Sequence, residues 1–260
     1  MSGTKSSGGK KVIIITAIVL AALVALWAAF PLLNIPLGHH DEDEQCKYYD
    51  EEQRYLVGDH FYFGRSKADE HGGIDVIEWR VLRVERDRLI LISDRIIECK
   101  AFDDGKNDAT WEKSSLRGWL NGEFYRTSFS DEEKSRILDV KNTNPDNEYY
   151  GTDGGNATTD KVYCLSIDEA EKYFSGKKAR VDGTMVYSDR IAKPCEYVYE
   201  KQKDSPFEKN WWWLRSPGLN STNAAIVDCD GSVNYNGSIV AGGGITVRPA
   251  CWVGLSNPES

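Results

Sequence analysis

Side-chain oxygens crowd one stretch of this chain: Asn142, Asn144, Asp146, Asn147, Glu148, Asp153, Asn156 and Asp160 all fall between 142 and 160. Calcium takes about six to eight oxygen ligands in flexible geometry, so a loop this rich in Asp and Asn could hold it. Asp153, Asn156 and Asp160 are the candidate ligands. The spacing is not that of an EF-hand, and the same residue types also build tight turns, with Gly151, Gly154 and Gly155 free to take positive φ. Turns are the favoured reading and calcium the alternative; no other cofactor is indicated.

Two arginines stand inside apolar segments, Arg215 in WWWLRSP and Arg248 in ITVRPACW. A buried cation must be paired or hydrogen-bonded, so each is expected to anchor carboxylates or loop carbonyls, with ligand contact as the lesser alternative. Between them, Gly218 to Gly244 holds six Gly, four Asn, three Ser and one Tyr. Small polar side chains around an aromatic are typical of adaptable binding surfaces, though exposed hairpins have the same composition.

Several kinds of chemistry are missing. There is no H-E-x-x-H, G-x-S-x-G or P-loop, and no G-x-G-x-x-G follows a strand. Of four histidines, His39 and His40 adjoin an apolar run, leaving His60 and His71 with no evident nucleophile or carboxylate partner. Six cysteines (Cys46, Cys99, Cys164, Cys195, Cys229, Cys251) include no C-x-x-C pair, which argues against a zinc ribbon or a thioredoxin-like motif. Buried thiols and disulfides are equally compatible with that spacing.

The elements that must carry these groups follow an apolar N-terminus. Val12 to Phe30 contains one polar residue, Thr16, and no charge. As a helix, residues 12–33 would span about 33 Å against a hydrocarbon core of about 30 Å. Lys5, Lys10 and Lys11 precede it and orient the N-terminus toward the cytoplasm. The length, and the lack of an A-x-A pair, favour a retained anchor over a cleaved signal. The expected layout is a cytoplasmic N-terminus (1–11), an anchor helix (12–33), an acidic juxtamembrane linker (34–57), one domain (58–254) and a tail (255–260). The protein would thus be a single-pass cell-membrane protein with its C-terminal domain extracytoplasmic. Net charge is −9, and the three lysines add +3 to the first 33 residues, so the remainder carries −12. That excludes nucleic acid as a natural partner.

Within the domain, Asp59–Phe63 reads as a strand, and the alternation Ile77, Trp79, Val81 against Glu78 and Arg80 as another, forming a hairpin with Leu89–Ile92. Leu116, Trp119, Leu120 and Phe124 mark one helical face. Ser130–Glu133 and Ser166–Glu169 are capping boxes that open two further helices. Residues 141–160 should be a long ordered loop. Strands return at 161–165, 211–215, 224–229 and 245–253. Trp211 to Trp213 should pack the core, with one ring exposed because successive strand residues face opposite sides. Strands, helices and strands without regular alternation indicate an α+β domain with a mainly antiparallel sheet.

Six blocks carry a resemblance: WRVL (79–82), W-x7-W-L-N-x2-F-Y (111–125), YGTDGGN (150–156), LSIDEAEKYF (165–174), WWLRSPG (212–218) and VRPA (247–250). In this order they resemble the bacterial domain of unknown function 6273 family, over roughly 58–253. The ending is also similar to the C-type-lectin-like fold of formylglycine-generating enzymes and of retroelement-diversified variable proteins. That resemblance implies a rigid scaffold with a display face formed by Asn220, Ser221, Thr222, Asn223, Asp228, Asp230, Ser232, Asn234, Tyr235, Asn236 and Ser238. Arg215, Arg248, Trp212 and Trp213 would support it structurally. Formylglycine-generating oxidases hold copper with a cysteine pair, to which Cys229 and Cys251 do not align. The leading expectation is therefore a membrane-anchored module that binds an extracellular glycan, peptide or protein. The alternatives are an oxidase or cell-wall-active enzyme on the same scaffold, and a structural part of an envelope assembly.

Overall fold

The apolar alternation around Trp79 buries Ile77, Trp79 and Val81 on one face, while Glu78 and Arg80 stay half-exposed on the other. That face organises the first sheet. The computed structural model describes residues 55–69, 71–105, 109–181, 184–204 and 210–255, which lie within the compact unit Arg54–Ser260. The anchor expected at 12–33 falls outside the described residues. Among those described, no helix is long and apolar enough to cross a membrane.

The strands β1 (His60–Lys67), β2 (Ile74–Val84) and β3 (Arg88–Ser93) form a meander. The short β4 (Glu98–Cys99) follows, then a helical segment made of α1 (Ser115–Trp119), a π-helical turn at Leu120–Phe124 and α2 (Tyr125–Ser128). Next come α3 (Asp131–Arg136), the hairpin β5 (Val140–Asn142) with β6 (Thr158–Asp160), β7 (Val162–Tyr163) and α4 (Ile167–Tyr173). A hairpin of β8 (Lys178–Val181) and β9 (Thr184–Tyr187) precedes α5 (Glu196–Lys201). The chain ends with β10 (Trp212–Pro217), β11 (Asn223–Val227), β12 (Val233–Ile239), β13 (Thr246–Val247) and β14 (Ala250–Gly254).

Two five-stranded sheets result, ordered β1-β2-β3-β14-β7 and β12-β11-β10-β13-β4. All pairings are antiparallel except β10 with β13. The domain is thus α+β with mainly antiparallel sheets, and one continuous apolar core joins residues of both sheets.

Several expectations change. The segment 245–253 is not one strand: β13 and β14 belong to different sheets. The break falls at Arg248–Pro249, where proline has no N–H for a ladder and its carbonyl instead accepts from Ser93 N at 2.9 Å. Residues 141–160 are not wholly a loop, because the ends pair as β5 and β6. The first strand runs on to Lys67 through a bulge near Gly64, whose φ of +68° and closeness to the Phe129 ring leave no room for a Cβ. Trp212 and Trp213 are both fully buried, because their sheet is covered on both faces: Trp212 meets Phe174 and Trp213 meets Phe102. Trp211 is the half-exposed member. Both capping boxes form as read, with Glu133 and Glu169 returning bonds to Ser130 and Ser166.

Candidate functional site

The hairpin of β11 and β12 sets the site at a sheet edge, since β12 has only one neighbouring strand. Gly237 makes the edge possible: at φ +69°, a Cβ there would sit 1.9 Å from the Ala224 carbonyl oxygen. The close approach accompanies a register shift between Ala224 and Ile226. Asn234 Oδ1 accepts from the backbone N–H groups of Asn236 and Gly237, each at 3.1 Å. These bonds hold the bulged strand in shape.

The eleven expected display residues divide by what their oxygens do. Asn220 Oδ1 accepts from Thr222 N and Thr222 Oγ1, closing the turn from β10 to β11. Ser221 lends its carbonyl to Ala109 N, and Asn223 and Ser238 take ladder positions. Asp230 Oδ1 accepts from Ser232 N and Oγ, closing the β11–β12 turn. The side chains of Asn220, Thr222, Asp230 and Ser232 thus build turns. Asp228, Asn234, Tyr235 and Asn236 instead line a shallow cavity of about 340 Å³, together with Val233, Tyr149 and Tyr150.

Tyr149 and Tyr150 reach β12 because the loop between β5 and β6 is pinned by Asn147, which is 2% exposed. Asn147 Nδ2 donates to Pro217 O at 2.9 Å and Tyr235 O at 3.0 Å, while its Oδ1 accepts from Tyr149 N and Tyr150 N. One amide therefore ties the loop to two strands and aims two rings. Tyr149 meets Tyr235 edge-on, centroids 4.5 Å apart at 88°, a geometry the aromatic quadrupole favours. Tyr150 OH donates to Asn236 Oδ1, and Tyr235 OH donates to Glu171 Oε1 at 2.8 Å. A second cavity of about 190 Å³ also has Tyr235 in its lining, with Asp146, Glu148, Asp168 and Ser216 among the others.

No cation lines either cavity among the described residues. Burial, then the hydrogen bond to Glu171, pushes the Tyr235 phenol well up, so it stays protonated and donates. Burial also raises the Asp228 carboxyl, with Asp230 adding to the effect and the Asn234 bond opposing it. The lining contains tyrosine rings, amides and carboxylates, and no histidine, cysteine or lysine among the described residues. Such a surface can stack on a flat or ring-shaped group and accept hydrogen bonds from hydroxyls or cations.

Arg215, 3% exposed, joins this loop to the sheet behind it. It pairs with Glu169 of the α4 capping box and donates to Cys164 O at 3.1 Å and Thr143 O at 3.4 Å. Arg248, fully buried, donates to the carbonyls of Ser93 at 2.9 Å and Arg190 at 3.3 Å. Its guanidinium lies over the rings of Trp212 and Phe174. Burial, then the nearby Arg80, disfavours its charge.

The calcium candidates have other partners. Asp153 Oδ1 accepts from Gly155 N at 2.8 Å, and Asn156 Nδ2 donates to Glu112 Oε2 at 3.0 Å. Asp160 is buried and accepts from Trp111, Arg117, Asn142 and Thr158. No group of three or more His, Cys, Asp or Glu among the described residues could hold a metal ion. Cys99, Cys164, Cys195, Cys229 and Cys251 are free thiols. Cys251 is buried in β14, whereas Cys229 is exposed beyond β11.

Sequence reading missed Asn147, Tyr149 and Tyr150 as site residues. The signal was present, since Tyr150 opens the YGTDGGN block, but nothing local says that this loop closes over β12. A family model described as a domain of unknown function, DUF6273, matches residues 86–255. No curated protein and no solved structure matches the chain.

Proposed function

The chain belongs to the DUF6273 family, a domain of unknown function, and from that premise we propose that it is a recognition module whose binding face is the tyrosine cluster at the β12 edge. The observation that carries this reading is the convergence of Tyr149, Tyr150 and Tyr235 on one cavity, aimed by a buried amide and free of cations among the described residues. Rigid aromatics supply contact area at low entropic cost, and the surrounding Asn and Asp side chains supply adaptable hydrogen bonds. The ligand fits the description of a glycan, peptide or protein segment that presents hydroxyls or positive charge. Arg215 and Arg248 lock the display face to the two sheets from behind. The scaffold is of C-type-lectin-like type, with residues 12–33 anchoring it in the cell membrane and the domain on the extracytoplasmic side. The three final assignments rest on the sequence: the C-terminal WWLRSPG and VRPA blocks, the uncharged run and the flanking lysines.

The test is a glycan and peptide array probed with the full-length chain. Hits bound by the wild type should be lost in Tyr235→Ala and weakened in Tyr149→Ala. Unchanged binding of every hit by Tyr235→Ala would overturn the assignment of this face.

A further inference from the structure

The atoms left open in the cavity at the β12 edge decide what that face can hold. Tyr149 and Tyr235 meet edge-on at 88°, with centroids 4.5 Å apart. A perpendicular pair leaves a right-angled corner beside the contact, walled by one face of each ring. Both rings line the cavity of about 340 Å³, so the corner opens into it, with Tyr150 and Asp228 alongside. Ring faces carry the negative lobe of the aromatic quadrupole and attract a cation within about 6 Å of the centroid.

Most polar atoms around that corner are already engaged. Asn234 Oδ1 accepts from Asn236 N and Gly237 N, and its Nδ2 donates to Asp228 Oδ2 at 3.0 Å. Asn236 Oδ1 accepts from the Tyr150 hydroxyl, and the Tyr235 hydroxyl is committed to Glu171. What remains for a ligand is chiefly the ring faces, Asp228 Oδ1 and the Tyr149 hydroxyl. A polyol or a protonated primary amine brings several O–H or N–H donors, each of which needs an acceptor once water is removed. A cation that carries its charge on methyl groups needs none.

The surroundings set the sign of the charge. Asp228 lines this cavity, and Asp146, Glu148 and Asp168 line the second one, which shares Tyr235. None of the four is in an ion pair with a described residue. Arg190 reaches the Gly231 carbonyl in the next turn at 3.4 Å, but it is buried and lines neither cavity. Burial and the neighbouring Asp230 both disfavour charge on Asp228, and a bound cation would relieve that penalty.

We propose, on the reading that this face is the binding face, that the tyrosine corner takes a methylated ammonium group. The group sits between the faces of Tyr149 and Tyr235, with Asp228 as its counter-ion. Of the hydroxyls and positive charge that the face could meet, the positive charge is thus the specific feature.

Titration of the full-length chain with choline, followed by NMR of the tyrosine rings and by calorimetry, tests this. The comparators are its uncharged carbon isostere 3,3-dimethyl-1-butanol and its unmethylated analogue ethanolamine. Saturable binding of choline is expected, with each comparator at least about tenfold weaker. Tyr149→Leu keeps an apolar side chain but loses the ring face, so it should weaken choline about fivefold while the native circular dichroism spectrum is kept. Asp228→Asn should also weaken choline about fivefold and leave the isostere unaffected. No saturable choline binding up to about 10 mM, or equal affinity for choline and its isostere, would overturn the proposal. So would a Tyr149→Leu protein that binds choline as the wild type does. If array hits are lost in Tyr235→Ala while choline fails to bind, the ammonium assignment alone falls. Array hits indifferent to Tyr235 would remove the face itself, and this proposal with it.

Discussion

Asp160 offers the sharpest test of how the display loop is held. Its side chain is fully buried beside an arginine that keeps 26% of its surface exposed. Oδ1 accepts from Arg117 Nε at 2.6 Å, while Oδ2 accepts from Trp111 Nε1 at 3.0 Å, Asn142 Nδ2 at 2.9 Å and Thr158 Oγ1 at 2.7 Å. In Asp160→Asn, one oxygen can still serve the three neutral donors, but the amide NH₂ then faces the Arg117 N–H. The variant therefore loses one bond to a charged group, about 1.5–3 kcal/mol, and leaves two donors opposed. Removing one member of a buried pair costs about 3–5 kcal/mol, and water reaching Arg117 brings the expected loss to the low end, about 3 kcal/mol.

For a domain of this size that corresponds to a melting temperature lower by roughly 6–12 °C. The assay is denaturant unfolding of wild type and variant, each with and without a calcium chelator. The hub predicts a large loss in the variant and no chelator effect on the wild type. A loss below about 1 kcal/mol would refute the counting of donors. A wild type destabilised by chelator would refute the hub itself and return Asp160 to calcium, which the loop composition also permits.

Three other outcomes follow from named contacts. Arg248→Ala should cost about 3–5 kcal/mol, because it removes the guanidinium's bonds to the Ser93 and Arg190 carbonyls, leaving the latter to Trp212 Nε1 alone, and opens a cavity between Trp212 and Phe174; Tyr235→Ala should cost far less in the same denaturant titration. Asp228 has a raised carboxyl pKa in the fold, so its contribution favours folding at acidic pH and is lost as pH rises through that raised value. Asp228→Asn should accordingly melt above the wild type at neutral pH, and the gap should close below the unfolded carboxylate pKa of about 3.9. Burial holds the Cys164 thiol up at about 12 and raises that of Cys251 as well. Iodoacetamide on the native chain, mapped by mass spectrometry, should therefore modify exposed Cys229 and spare those two until the protein unfolds.

What the sequence made legible was local. The capping boxes at Ser130 and Ser166 could be read because four adjacent residues contain the whole mechanism. The β2–β3 hairpin was equally legible, since a short polar turn separates its two apolar runs. The π-turn was not, because Leu116, Trp119, Leu120 and Phe124 satisfy an α-helical face as spacing alone, and only the fold shows the π-helical turn at Leu120–Phe124, with the Trp119 and Phe124 rings tilted against each other at 5.1 Å. The split of 245–253 turned on two residues. Pro249 could have flagged a break, but the change of sheet depends on Arg248 finding carbonyls on β3 and on the segment before β10.

The candidate site follows the same division. Asn234, Tyr235 and Asn236 lie in a strand whose composition pointed to display, whereas the partners that complete the surface come from a loop about 85 residues earlier in the chain. Their meeting depends on Asn147, whose amide bonds span 70 positions to Pro217 and 88 to Tyr235. No periodicity encodes a contact of that range. Its energetic basis is that a buried amide must satisfy its donors and acceptor, and Pro217 and Tyr235 supply open carbonyls beside the loop. The same demand explains why the loop carries so many Asn and Asp residues: Asp146, Asn147 and Asp153 each cap backbone N–H groups within it. The oxygen density, which the sequence assigns to turns first and to calcium as the alternative, supplies internal bonding of the loop through Asp146, Asn147 and Asp153, and that bonding holds Tyr149 and Tyr150 against the β12 edge.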